Sequence, residues 1–413
     1  MIKILVNVDC LIPPLTGVGR YAQGILRVLV QSSEVEDLVG FSTFGLYSRS
    51  DLAAILASGA GVRQENSLDQ GSGSTSGSHS RARFRALMLR WFNGLKPIIR
   101  RLPGIRRLRN VVRTFRVKAQ KSRFDDYVYW EPNYLLADLD NPAVAVIHDV
   151  SHERMPECHP QDRLTEMALR MPNTLNRSRR LIAVSEFTKN EICNLYHPSQ
   201  PVDVVRPAVD SEFFEISEAQ RLVASKKYNL PTEFIVSVAT LEPRKNLLRL
   251  IAAFAGLPSE LQKRFPLILL GAKGWMTSES TKTLNELLNK GLVRYLGYVE
   301  QSDMAPLISL ATVSVYPSLY EGFGMPIAEA MAAGTVVITS DAASMPEVAQ
   351  GAAVLVDPTS VDSIRSALHE ILEDPSKRLG LESMGRQVAL QYTWGRSAED
   401  LLLSLSAAKV GAS

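Results

Sequence analysis

Two carboxylates, Glu321 and Glu329, stand eight positions apart in the stretch VYPSLYEGFGMPIAEAMAAG, Val315 to Gly334. Between them Gly322 and Gly324 carry no Cβ, so the backbone is free to come close to a ligand. An apolar strand from Thr312 to Tyr316 leads into the stretch, and the fixed φ of Pro326 suits the first turn of a helix. A helix start offers unpaired N–H groups and a partial positive charge, which suit phosphate; the carboxylates suit sugar or ribose hydroxyls. A nucleotide sugar carries all three groups. The competing reading is a strand–loop–helix corner with incidental acids.

A second group is cationic. LEPRKN follows the strand FIVSVAT and places Arg244 and Lys245 before a helix. An arginine clamps two phosphate oxygens with its planar fork, and a lysine adds a mobile point charge. Hydrogen bonds of this charged kind contribute roughly 1.5–3 kcal/mol each. Gly271, Lys273 and Gly274 follow the strand FPLILLG and are expected to shape a base pocket, and Tyr298 and Val299 follow VRYLG.

The first half adds fewer groups. Gly17, Gly19 and Ala22 spell Gly-x-Gly-x-x-Ala after the strand Ile2 to Asp9. Gly17 stands eight positions after Asp9 and no acid ends the next strand, VGFSTF, which argues against a nicotinamide dinucleotide turn. His148 and Asp149 close the strand AVAVIHD, whose end opens on the crevice where α/β sheets bind ligands. Asp138 and Asp140 have metal-binding spacing but sit in a polar connector. His148 and His152 have zinc-hydrolase spacing but lack the helix and the glutamate base that chemistry needs. No metal site is expected.

Strands alternating with helices must position these groups, the signature of doubly wound parallel sheets, in which ligands gather after strand carboxyl ends. In the first half a helix from Gln161 to Ser178, the strand RLIAVS and a helix capped by Ser185 follow His148. A hinge is expected near Arg206 to Asp210. In the second half the strands FIVSVAT, FPLILLG, VRYLG, TVSVY, TVVITS and AAVLV repeat the alternation.

The Glu-x7-Glu pattern bracketing GFGMPIAEAMA resembles the signature of family-4 retaining glycosyltransferases. The resemblance implies the GT-B fold, an α/β architecture of two facing Rossmann-like doubly wound parallel-sheet domains with a cleft between them. It places an acceptor-side domain at 1–208, a nucleotide-sugar-binding domain at 209–390, and at 391–413 a helix crossing back, with Trp394 as a packing anchor. By the same resemblance Glu321, His148, Arg244 and Lys245 are catalytic. Glu329 would hold the ribose and Glu321 the donor sugar, with Gly322, Phe323, Gly324 and Met325 lending amides. Gly17 and Gly19 would approach the diphosphate, and the backbone of Tyr298 and Val299 would read the base. His148 would lie beside the reacting carbon, and Asp149 would orient it or face the acceptor. Such enzymes retain anomeric configuration and use no cofactor and no divalent metal. WEPNYLL and AVAVIHDVSHERMPECHP are similar to O-antigen mannosyl- and rhamnosyltransferases, which implies a GDP-mannose or GDP-rhamnose donor and a lipid-linked glycan acceptor. Two other classes stay open: a nucleotide-sugar epimerase on the same fold, and a non-catalytic membrane- or RNA-binding adaptor.

The chain has 413 residues, 46% of them hydrophobic, enough for two substantial cores. No apolar run reaches the ~18 residues of a membrane span, and IKILVNVD reads as a buried strand rather than a signal peptide, so a cytoplasmic location is expected. Cys10, Cys158 and Cys193 have neither disulfide-framework nor zinc spacing. The net charge of +3 hides an asymmetry: residues 81–123 hold 15 Lys and Arg and no acid, leaving 31 basic against 43 acidic residues elsewhere. The flexible linker QGSGSTSGSHS, 70–80, introduces this segment, in which Phe84, Leu87, Trp91 and then Leu108, Val111 and Phe115 recur at helical spacing among arginines. In-plane attachment to the anionic inner face of a membrane is the expectation, ahead of a hairpin packed on its own domain. Nucleic acid is not expected.

Overall fold

The computed structural model describes residues 1–13, 15–58, 114–115, 117–240, 242–271 and 278–410. The linker 70–80, most of the basic segment 81–123, Lys273 and Gly274 lie outside the described residues.

Strand β1 (Ile2–Asn7) is buried on both faces, as a strand covered by helices on each side must be. Parallel to it run β2 (Val35–Phe41) and β4 (Val128–Glu131). With β3 (Leu46–Tyr47), β5 (Ala143–Ile147), β6 (Ser178–Ala183) and β7 (Val202–Val204) they make a sheet of order β3-β2-β1-β4-β5-β6-β7. The edge strand β3 is antiparallel to β2, a departure from the all-parallel sheet expected. The four residues between Phe41 and Leu46 are too few for a crossover helix, so the chain returns as a hairpin.

The second sheet is parallel throughout: β8 (Ile235–Val238), β9 (Leu267–Leu270), β10 (Val293–Gly297), β11 (Val313–Tyr316), β12 (Val337–Ser340) and β13 (Val354–Val356), in the order β10-β9-β8-β11-β12-β13. Strand order reverses between β1 and β4 in one sheet and between β8 and β11 in the other. Each reversal leaves a crevice beyond the strand carboxyl ends. The two crevices face one another across a cleft, the arrangement of the GT-B fold.

The helix Trp394–Val410 packs on the helix Gly17–Leu29 and on β4, β5 and β6, returning the chain end to the first sheet. Trp394 is the anchor expected: its ring lies 6.5 Å from Tyr21, its Nε1–H donates to Asp210 at 2.8 Å, and a Cβ on Gly24 would meet the indole at 2.2 Å. Leu5, Trp130, Ile147, Phe234 and Val315 are fully buried in the cores. Each such side chain contributes about 1.5–3 kcal/mol.

The end of the basic segment behaves differently from its expected amphipathic role. Val117 is buried in the cluster that holds Leu5, Phe124 and Tyr129, and Lys118 pairs with Asp138 at 2.7 Å. Arg177 binds the same carboxylate at 2.7 Å, so Asp138 serves these cations. Among the described residues no helix is long and apolar enough to cross a membrane, and no group of three or more His, Cys, Asp or Glu side chains could hold a metal ion.

Candidate active site

A short 3-10 turn, Pro243–Lys245, follows β8 and ends at Asn246 in the left-handed region (φ 59). Asn246 is held there by its side-chain amide, which donates to the carbonyls of Pro317 at 2.9 Å and Pro358 at 2.6 Å. This clamps the turn against the loop after β11 and aims two cations at one acid. Arg244 Nη1 donates to Glu321 Oε2 at 2.9 Å and to the Tyr320 carbonyl at 2.8 Å, while Nη2 reaches Glu242 at 2.9 Å. Lys245 Nζ donates to Glu321 Oε1 at 2.6 Å and to Tyr316 Oη at 2.8 Å, and Tyr316 in turn donates to Glu321 at 2.8 Å.

The Glu321 carboxyl is buried, which by itself would raise its pKa; Arg244 and Lys245 overrule burial and hold it at about 2. Burial pulls the Lys245 ammonium below its ordinary value, against Glu321. The main chain beside the acid is fixed as well. Ser344 Oγ, itself buried, reaches the carbonyls of both Glu321 and Phe323 at 2.9 Å. Gly324 takes φ 100 at the N-cap of the helix Met325–Ala332, a conformation that asks for glycine. Pro326 occupies the second position of that helix, one residue later than expected.

The opposite wall comes from the first sheet. His148 directly follows β5; its Nε2 lies 2.7 Å from the Pro132 carbonyl, which can only accept, so Nε2 carries the proton and Nδ1 is left as an acceptor. Burial lowers its pKa, favouring the neutral imidazole. The ring stands edge-on to Tyr21 at 5.1 Å and 5.6 Å from Tyr134. Tyr134 holds φ 58, an uncommon conformation for a bulky residue, and its Oη accepts from the Asp149 amide at 3.0 Å. The Asp149 carboxyl is also held at about 2: burial opposes ionisation, and Arg244 and Ser151 overcome it.

Beside His148 the halves are in direct contact. The Gly322 carbonyl accepts from Ser185 Oγ at 2.6 Å and Thr188 Oγ1 at 2.9 Å. A Cβ on Gly322 would lie 1.7 Å from the His148 carbonyl oxygen, so no other residue allows this approach. Nearby, Glu347 accepts from the amides of Glu186 and Phe187 at 3.0 Å each and from Arg206 at 3.1 Å, capping a first-half helix from the second half.

A cavity of about 860 Å³ runs between these walls, lined by Gly17, His148, Asp149, Arg244, Lys245 and Glu321 together with Gly322, Phe323, Gly324 and Met325. A second, of about 1210 Å³, adjoins it at Gly17 and Gly271 and is lined by Tyr298 and Val299. Gly19 lies beside Gly17 but lines neither cavity. A Cβ there would sit 2.5 Å from the Cys10 carbonyl oxygen, so its smallness serves the packing of a helix on a turn. Glu329 lies just behind the cleft wall, 2.8 Å from Arg20.

Arg20, Tyr134, Tyr316 and Glu131 escaped the sequence reading. Arg20 directly follows Gly19, which was the available signal. Glu131, fully buried on the cleft wall, accepts from Asn7 Nδ2 at 2.9 Å and from the Asn133 amide at 3.1 Å. Those partners are distant in sequence or contributed by backbone, and no motif announces them.

Residues 220–388 match the model of glycosyl transferases group 1, and residues 66–213 that of glycosyltransferase family 4. The O-antigen chain mannosyltransferase B of Escherichia coli is 31% identical over 394 residues, covering 95% of this chain and 96% of that protein. The chain belongs to glycosyltransferase family 4. A serotype-specific mannosyltransferase of Escherichia coli, WbdA, matches this glycosyltransferase at 33% identity over 225 residues, 53% of this chain and 27% of that one. Among solved structures, sucrose-phosphate synthase from Thermosynechococcus elongatus superposes over 100% of both chains with a TM-score of 0.68 at 18% identity, which shows the shared fold.

Proposed function

We propose that this glycosyltransferase moves mannose, or the related rhamnose, from a GDP-sugar to a hydroxyl of a lipid-linked glycan in bacterial surface polysaccharide assembly, with retention of anomeric configuration and without a divalent metal. The observation that carries the reading is the convergence of Arg244 and Lys245 on Glu321 at the carboxyl ends of β8 and β11. The similarity to O-antigen mannosyltransferases supports the sugar and the acceptor class.

The donor diphosphate takes hydrogen bonds from Arg244 and Lys245, displacing part of their grip on Glu321. As the bond from the anomeric carbon to the phosphate oxygen breaks, the sugar ring gains positive charge and the diphosphate gains negative charge. The fixed Glu321 carboxylate stabilises the former and the two cations the latter, in a site already arranged for that charge separation. The acceptor hydroxyl attacks the face the diphosphate leaves, and its proton passes to the departing phosphate oxygen. Neutral His148, with Nδ1 open as an acceptor, orients a hydroxyl near the reacting carbon.

A screen of GDP-, UDP- and dTDP-sugars for binding and for slow hydrolysis tests this reading without a known acceptor. GDP-mannose or GDP-rhamnose should bind best and release sugar of unchanged anomeric configuration. Absence of binding to every nucleotide sugar, or formation of a rearranged nucleotide sugar in its place, overturns it. Enzyme on the inner face of the cytoplasmic membrane, close to its lipid-linked acceptor, is part of the same proposal.

A further inference from the structure

Glu329 is 2% exposed, and its two oxygens differ. Oε1 takes a 2.8 Å ion pair from Arg20 Nη1, whereas Oε2 is buried with no hydrogen-bond partner among the described residues. A buried carboxylate oxygen left without a donor is costly unless a ligand supplies one. Arg20 belongs to the helix Gly17–Leu29 of the first half and Glu329 to the helix Met325–Ala332 of the second, so the pair crosses the cleft. Arg20 lines both cavities, and its Nη1 also reaches Gln301 of the second half at 3.3 Å.

From this geometry we propose that Arg20 is a positioning residue for nucleotide ribose: it occupies Oε1 and holds the Glu329 carboxylate so that Oε2 accepts a ribose hydroxyl. The inference rests on the reading of Glu329 as the ribose residue. It adds that the ribose pocket is completed only by the first half of the chain. With Arg20 removed, the buried carboxylate has no cation beside it and nothing holds its orientation, so it can turn away.

The test compares binding of GDP and UDP with binding of their 2′,3′-dideoxy counterparts to the full chain, by calorimetry. A charge-assisted hydrogen bond of roughly 1.5–3 kcal/mol corresponds to a preference of about 10- to 150-fold for the ribose form. Wild type should show that preference for whichever diphosphate it binds. Glu329→Gln and Arg20→Met should each reduce it to within about threefold, and the double variant should lose no more than either single one. Arg20→Lys, which keeps the charge, should restore most of it, and it serves as the test if Arg20→Met does not fold. Loss of the preference in Glu329→Gln with its full retention in Arg20→Met, or its complete loss in Arg20→Lys, overturns the role of Arg20 and leaves the ribose reading standing. Absence of any preference in wild type overturns the ribose reading and this inference with it.

Discussion

Replacing Glu321 by Gln removes one negative charge from between two cations while keeping the side-chain volume. The carboxylate accepts from Arg244 at 2.9 Å, Lys245 at 2.6 Å and Tyr316 at 2.8 Å. In the proposed reaction the diphosphate needs the same two cations, so Glu321 competes with it before reaction and assists only once the sugar ring turns positive. Each charged hydrogen bond is worth roughly 1.5–3 kcal/mol. If about 1.4 kcal/mol of that becomes available to phosphate, GDP binds tenfold tighter. Loss of the carboxylate beside the developing positive charge raises the barrier by roughly 2.7–4 kcal/mol, or 10²–10³ in turnover. Binding and turnover therefore move in opposite directions. Calorimetry with GDP and a donor-hydrolysis assay read the two quantities separately. Unchanged turnover removes Glu321 from the chemistry; binding and turnover weakened together would make it a mere scaffold for Arg244 and Lys245, and the reasoning would be wrong.

Gly322→Ala places a methyl group where the His148 carbonyl stands, so the halves must separate; donor turnover should fall at least tenfold with a lowered melting temperature, and wild-type values for both would show that this corner is not needed. Glu321 also predicts an acid response. Its folded value of about 2 against an ordinary 4.5 means that its stabilisation is complete above pH 4.5 and is lost as pH falls towards 2. The difference corresponds to about 3 kcal/mol, so urea midpoints of wild type should drop more steeply from pH 5 to pH 3 than those of Glu321→Gln, and parallel curves would contradict the coupling. Deleting 70–113, which spares the packed Val117 and Phe124, should abolish pelleting with anionic liposomes and leave GDP binding intact. Continued pelleting would refute membrane attachment through this segment.

Where structure depends on local chain chemistry, the sequence was sufficient. The buried strand at the amino end, the cap at Ser185, whose side chain accepts from the Thr188 amide, and the glycine corner before the Met325–Ala332 helix each follow from a few neighbouring residues. The place of Arg244 and Lys245 on the cleft wall follows for the same reason: a strand end fixes the place of the next turn. Contacts between distant segments were not visible. Arg20 and Glu329 are brought together only by closure of two sheets, and nothing in GVGRY names its partner. At Gly19 the motif position also serves a backbone contact at Cys10 that the spacing does not announce. The short antiparallel β3 was missed because two residues carry too little periodicity to reveal a strand.

The central claim is that Arg244, Lys245, Glu321 and Glu329 grip a single activated sugar nucleotide. A crystal structure of the full chain with unreacted GDP-mannose tests it most directly. The account predicts diphosphate oxygens within hydrogen-bond distance of Arg244 and Lys245, sugar hydroxyls on Glu321 and a ribose hydroxyl on Glu329 Oε2. A nucleotide seated with its diphosphate away from both cations would contradict it.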